Sequence, residues 1–223
     1  MGNELFCYFE NFSFSKIKNI NGLRTQISLA APEPSSKPSL AGYNSKHIFR
    51  TGGKYGGYRL NTVEVYNVDR DEWSQCPKSI IARNNHLSCV LGDKLYISGG
   101  DSSNYNIHVA DCSKLIDGSA EWNILSFDHH VATNVFSPIS STEILIMHKE
   151  AITIFDARSN TIEKVGDIPF RLQCDHNQAA MSRDGQVVAQ VFDFTSKCLK
   201  AVSFTKETME FRVIKDFGSI YYE

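Results

Sequence analysis

The stretch "KLYISGGDSSNYNIHV", Lys94 to Val109, runs β-forming residues straight into two adjacent glycines, then a polar loop, then a second β-like run. Two glycines at a strand end are locally unfavourable. Glycine loses the most backbone entropy on ordering and has no side chain to pack. The pair therefore implies a neighbour that needs the room a Cβ would take.

The same stretch occurs elsewhere in the chain. "HIFRTGGK" (His47–Lys54) aligns with "KLYISGGD" (Lys94–Asp101) 47 residues on, and downstream Trp73 falls on Trp122 at an offset of 49, with the extra length in the turn "SKLIDG". Pro77–Asp101 overlays Pro169–Asp193 without a gap at an offset of 92. Between these copies, Thr142–Pro169 carries "AITIFD" where the first unit has "TVEVYN". Asn85, Asn134 and Asn177 then share one position of the repeat.

Each unit divides into four short β-branched or aromatic pieces, such as "HLSCVL", "KLYISGG", "TVEVYNV" and "EWSQC", separated by turn signals. No helix-length stretch places apolar residues at 3.6 spacing, so the chain is read as all-β. A period of 45–50 residues with four strands per unit is that of a β-propeller blade.

Gly52-Gly53, Tyr66, Trp73, Pro77, Arg83 and then Gly99-Gly100 follow one another in a pattern that resembles the kelch repeat. The match is specific from Ile48 to Trp122. Beyond residue 125, His148-Lys149 and Val191-Phe192 stand where the glycines would. The resemblance implies a kelch-type β-propeller of four-stranded antiparallel blades. It implies that the glycine pairs lie beneath the large aromatics of their own repeat. Tyr66, Trp73 and Trp122 would fill the blade-to-blade interfaces, and Arg83 would be buried and structural.

Residues 1–31 read as a partial blade of two outer strands, and 31–39 as a surface loop into one propeller domain over 32–223. Four repeats are expected at 39–81, 82–128, 129–170 and 171–216, followed by a short tail. Four to five blades fall short of the commoner six, so an incomplete ring is expected, with open blade edges available for self-association.

Composition narrows the function. The chain has 223 residues, 22% of them charged, and a formal net charge of −2, which lacks the basic excess of a nucleic-acid binder. No apolar run reaches the ~18 residues of a membrane span, and the N-terminus lacks the charged start and apolar core of a secretory signal. The six cysteines are scattered with no C-x-x-C pair, which reads as reduced thiols and a cytoplasmic protein. Candidate chemistry is thin. His129-His130 are strand neighbours that point to opposite faces, and Asp175-His176 falls in an inter-blade turn. "GGKYGG" opens no helix, as a phosphate-binding loop must. No cofactor, metal or catalytic residue is expected.

What remains is a loop face. The resemblance places on one face the loops that follow the glycine pairs, with Tyr55, Tyr58 and Arg59 in one and Asp101, Asn104 and Tyr105 in the next. The inter-blade turns add Asn84, Asn85, Asn134 and Asn177. Tyr, Arg and Asn on rigidly held loops suit recognition of a protein partner. The sequence leaves that partner unnamed. The competing readings are a carbohydrate-active propeller enzyme of the sugar oxidase or epimerase type, and a propeller fragment with no function of its own. If the ends are open, light scattering on the isolated chain should show concentration-dependent association. A monodisperse monomer with one cooperative melt above about 65 °C would show that it closes on its own.

Overall fold

The computed structural model describes residues 5–8, 13–20, 23–30, 35–100, 106–127, 134–172, 180–183 and 185–219, those of 5–30, 180–183 and 219 by backbone alone. Near the N-terminus, β1 (Leu5–Tyr8), β2 (Ser13–Ile20) and β3 (Leu23–Ala30) form an antiparallel sheet in that order. The sequence reading drew two strands here. Leu5–Ile20 is not one strand, because β1 folds back onto β2 with Leu5 opposite Ile17.

Four antiparallel four-stranded sheets follow, each a meander, and they are arranged as a β-propeller. The first has β4 (Ser39–Tyr43), β5 (His47–Thr51), then a small hairpin of β6 (Lys54–Tyr55) and β7 (Tyr58–Arg59), then β8 (Val63–Asn67) and β9 (Glu72–Cys76). The second has β10 (His86–Leu91), β11 (Lys94–Gly99), β12 (Ile107–Asp111), helix α1 (Cys112–Asp117) and β13 (Asn123–Leu125). The third comprises β14 (Val135–Pro138), β15 (Glu143–His148), β16 (Ala151–Asp156) and β17 (Thr161–Asp167). The fourth comprises β18 (Ala180–Arg183), β19 (Gln186–Asp193), β20 (Cys198–Thr205) and β21 (Glu210–Ser219). The innermost strands β4, β10, β14 and β18 pack side by side in chain order.

The central strands read as nearly continuous apolar runs because stacking buries both faces of each blade. Phe49, Val63 and Val65 of the first blade meet Leu95, Ile97 and Ala110 of the second. The other face of the second blade, with Tyr96, Ile107 and Val109, meets Phe136, Ile144 and Phe155 of the third. Leu145, Met147 and Ile152 then pack against Val187, Val191 and Phe204 of the fourth. The expected "SKLIDG" turn is instead the helix α1. The Asp111 carboxylate accepts from Ser113 N (3.0 Å) and Lys114 N (3.2 Å), which caps its start, and Gly118 ends it at φ 84°. Leu115 and Cys112 anchor the helix under the first blade.

The glycine pairs answer their question differently from expectation. Tyr66 pairs with Ile48 and Trp73 with Tyr66, at the far end of the blade from Gly52. Among the described residues, neither Tyr66 nor Trp73 lies against the glycines, and the ring that does is the His86 imidazole, whose Cε1 would be 2.8 Å from a Cβ on Gly52. A Cβ on Gly52 would lie 2.5 Å from the Arg83 carbonyl oxygen, and one on Gly100 2.8 Å from that of Asn84. On Gly53 it would lie 2.6 Å from Ser35 Oγ. At Gly52 and Gly100 the room is needed by the backbone that connects one blade to the next, and at Gly53 by Ser35 and Ser36. Gly53 and Gly100 also sit at φ 108° and 99°, where an L side chain is strained.

Gly100→Val is therefore expected to cost about 2–4 kcal/mol, from overpacking and backbone strain together. At roughly 2–4 °C per kcal/mol for a chain of this size, the thermal melt should fall well outside error. Gly42→Val is the control: a Cβ there meets nothing within 4 Å and its φ is ordinary, so it should stay within about 0.5 kcal/mol. Equal effects of the two substitutions would refute the close-approach account.

Candidate protein-interaction face

The site is built on the connector between the first two blades. Arg83 to His86 passes between the glycine pair of one blade and that of the next. Gly53 N donates to the Arg83 carbonyl (2.8 Å), and Arg83 N donates to the Leu60 carbonyl (2.9 Å). The Arg83 guanidinium, only 2% exposed, reaches into the second blade and donates to the carbonyls of Gly99 (2.5 Å) and Asn106 (3.2 Å). Burial lowers its pKa to about 10, so it stays charged and held by carbonyl dipoles. His86 closes the arrangement, with Nε2 2.8 Å from Thr51 Oγ1.

The β6–β7 hairpin rises from this base. Leu60 N donates to the Gly53 carbonyl (2.9 Å), and Lys54 exchanges both backbone bonds with Ser36 (2.8 and 2.9 Å). The root of the hairpin is thus held from both sides, while its tip carries Gly56 and Gly57, both at positive φ. Tyr55 and Tyr58 lie opposite each other in the register and are 57% and 79% exposed. Two tyrosines left in water on a fixed stem form an apolar, hydrogen-bonding platform. Arg59 is exposed and its Nε donates to Asn84 Oδ1 (3.2 Å), linking hairpin and connector.

The other sequence candidates divide. Asn84, Asn85 and Asn134 are buried at 4%, 8% and 1% exposure. Asn85 takes φ 54°, a left-handed step that asparagine tolerates, and Asn134 Oδ1 accepts from Lys149 N (3.3 Å). These asparagines shape turns, and their side chains lie beneath the surface. Asp101, Asn104, Tyr105 and Asn177 lie outside the described residues, as do His129, His130, Asp175 and His176. Among the motif residues, Tyr66 is fully buried and packs at a tilt against half-buried Trp73, 5.3 Å between centroids. Both face away from the second blade, beside Ile48. Trp122 wedges between the first and second blades and donates from Nε1 to the Pro77 carbonyl (3.3 Å).

Two polar groups escaped the sequence reading. Arg50 and Glu64, directly cross-strand, form a buried ion pair, and Arg50 also donates to Ser35 Oγ (2.5 Å). His108, fully buried at the position of β12 that matches Glu64 in β8, has no hydrogen-bond partner on either ring nitrogen among the described residues. Burial and the nearby Arg83 guanidinium push its pKa down to about 4. Only the alternation of strand register could have flagged it as inward-facing. Among the described residues, no three His, Cys, Asp or Glu side chains gather to hold a metal ion, and no helix is long and apolar enough to cross a membrane.

Stacked four-stranded meanders with glycine pairs at the blade connector define a kelch-type β-propeller. Residues 46–79, the first blade, match the family model of the kelch motif. The chain thus carries a kelch motif in its first blade and is similar to kelch-repeat proteins. It is 29% identical over 119 residues to Kelch repeat and BTB domain-containing protein 2 of Horsepox virus, covering 52% of this chain and 21% of that protein. The Cowpox virus (strain Brighton Red) protein of the same name is 31% identical over 97 residues, 42% of this chain and 17% of its own length. Kelch-like protein 21 of Danio rerio is 39% identical over 56 residues, 25% of this chain and 9% of that protein. The chain thus spans about a fifth or less of the curated relatives it matches.

The His108 environment sets a pH dependence. The unfolded chain takes up a proton near the ordinary value of 6.5, and the folded chain refuses it until about 4. Stability owed to this residue is level above pH 6.5 and falls between 6.5 and 4, by on the order of 2–3 kcal/mol. Denaturant midpoints across that window should converge for His108→Leu relative to the parent as pH rises. Parallel curves for the two proteins would refute a neutral buried imidazole.

Proposed function

We propose that this chain is a non-enzymatic protein-interaction module, and that it binds its partner through the face bearing the β6–β7 hairpin. The observation that carries the reading is the Tyr55–Tyr58 pair, both exposed on a stem whose root is held by the Ser36, Gly53 and Arg83 backbones. Pre-ordered aromatic anchors contribute contact area without the entropy cost of fixing a loose loop. Arg59 adds a guanidinium beside them. Asp101, Asn104, Tyr105 and Asn177 complete the proposed contact set. Asn84, Asn85 and Asn134 serve it by shaping the turns beneath. The names of the relatives, kelch repeat proteins all, support a propeller used for binding rather than catalysis.

We read the compartment as the cytoplasm. Cys76, Cys89 and Cys112 are buried free thiols, and burial pushes Cys76 and Cys112 up to about 12, so they pack as small hydrophobes. Blade edges left open in this chain would favour association with further blades or a second copy.

The test is the double substitution Tyr55→Ala with Tyr58→Ala. Loss of two anchors should remove about 2–4 kcal/mol of affinity, a thirtyfold or larger rise in Kd, for a partner recovered from lysate. The thermal melt should move by less than about 2 °C, because neither ring packs in the blade core. A melt as damaged as that of Gly100→Val would place the tyrosines in the core. Unchanged binding and stability would move the partner surface to another rim.

A further inference from the structure

Exposed rings and unpaired cations gather on one corner of the fourth blade. The only exposed phenylalanines among the described residues are Phe194, at 44%, and Phe217, at 52%. Phe194 follows the end of β19, and Phe217 lies near the end of β21. Beside them, Asp193 and Ser219 both pair with Cys198 of β20. The two rings therefore rise from the same end of the blade, on strands about 10 Å apart at two strand spacings. Ile214, 57% exposed, extends the apolar surface along β21. Each ring carries cations. The Lys197 ammonium lies 3.4 Å from the Phe194 centroid, with the Arg171 guanidinium at 5.8 Å, and the Lys215 ammonium lies 5.1 Å from that of Phe217. Largely buried Lys200 adds a fourth contact, 5.3 Å from Phe170. Four such contacts between Phe170 and Phe217 compare with roughly one per 70–80 residues in ordinary proteins.

Arg171, Lys197 and Lys215 have no acidic partner among the described residues. Asp167 and Asp216 of this corner are held by Lys164 and Lys200, and exposed Glu150 is matched by the adjacent Lys149. A lysine stem laid over a ring shares its apolar surface while the ammonium stays at the polar boundary. At a membrane interface the same pairing puts the ring at the acyl boundary and the cation among the headgroups. We propose that this corner docks the protein on an anionic lipid surface. Phe194, Ile214 and Phe217 enter the headgroup boundary, and Arg171, Lys197 and Lys215 face the lipid phosphates and carboxylates. The charge names the occupant: unpaired cations interleaved with exposed rings fit a partner that is apolar and negative over the same short span. A turn and an edge strand also make a convex corner, which suits a yielding surface. The chain as a whole has a formal net charge of −2, so the attraction is confined to this corner and the binding is reversible. The anionic cytoplasmic leaflet agrees with the compartment proposed above. The β6–β7 hairpin takes no part in it.

Sedimentation with extruded vesicles tests this. The chain should co-sediment with phosphatidylcholine vesicles that carry about a third phosphatidylserine, and should be released as salt rises. With pure phosphatidylcholine it should stay in solution. Phe194→Ala with Phe217→Ala should lower the partition coefficient at least about tenfold without moving the melt, because both rings are exposed. Lys197→Gln with Lys215→Gln should lower it by a similar factor. Two control pairs should leave it unchanged: Lys94→Gln with Lys114→Gln at the other end of the propeller, and Tyr55→Ala with Tyr58→Ala on the hairpin. No binding to the mixed vesicles overturns the inference, and so does equal binding to pure phosphatidylcholine. A loss in the lysine variant with none in the phenylalanine variant marks adsorption through charge alone and overturns it too. Complete displacement by soluble glycerophosphoserine has the same consequence, since it shows a headgroup site without insertion. A control pair that loses as much as the phenylalanine variant would move the contact away from this corner.

Discussion

The passage of one backbone between two glycine pairs is the constraint on which the rest of this structure depends. Arg83 to His86 must cross from the outer strand of one blade to the inner strand of the next. Buried there, it cannot leave its peptide groups unpaired. Gly53 and Leu60 pair them on one side, and the Arg83 side chain reaches across to carbonyls on the other. Backbone can approach this closely only where the neighbour has no Cβ, and Gly52 and Gly100 meet that demand, while Gly53 makes room for Ser35 and Ser36. The entropy each glycine costs, roughly 0.5–1 kcal/mol, is small beside an unsatisfied buried donor at about 1–3 kcal/mol.

The later blades meet the same demand by other means. In the third blade the loop between β15 and β16 is a tight turn, and Lys149 takes φ 51° where a glycine would stand. Its carbonyl accepts from Leu172 N (2.9 Å), and Phe194 N donates to the Arg171 carbonyl (2.7 Å). The connector between the third and fourth blades is therefore stitched as the first one is, without paired glycines. A short turn keeps its side chains away from the crossing chain, so the sequence there is free to drift. The longer loop between β5 and β8 folds back over the connector and keeps its glycines.

That folding back is also what raises the hairpin. Because Lys54 and Leu60 are tied to Ser36, Gly53 and Arg83, residues 55–58 have nowhere to go but outward. Core packing and the exposed tyrosine pair thus share one set of hydrogen bonds. A substitution that loosens the connector should loosen the face as well, whereas a change at the hairpin tip should leave the blades intact.

The kelch resemblance implied the buried arginine, and the sequence by itself determined the repeat and the four strands of each blade. These follow from period, β-branching and turn residues, which act over a few neighbours along the chain. Tyr55, Tyr58 and Arg59 were legible as a polar loop for the same reason. The helix α1 was misread as a turn because a six-residue helix has too few positions for a 3.6 period to show, although Asp111 and Gly118 marked its caps. What only the tertiary structure decided is what each side chain faces. Gly52 and Gly100 turned out to serve the neighbouring connector, Asn84, Asn85 and Asn134 to lie beneath the surface, Glu64 to pair with Arg50 within its own blade, and His108 to be buried near Arg83. Each depends on contacts between residues some 15 to 50 positions apart, and strand patterning carries no information about which strand of another blade will lie opposite.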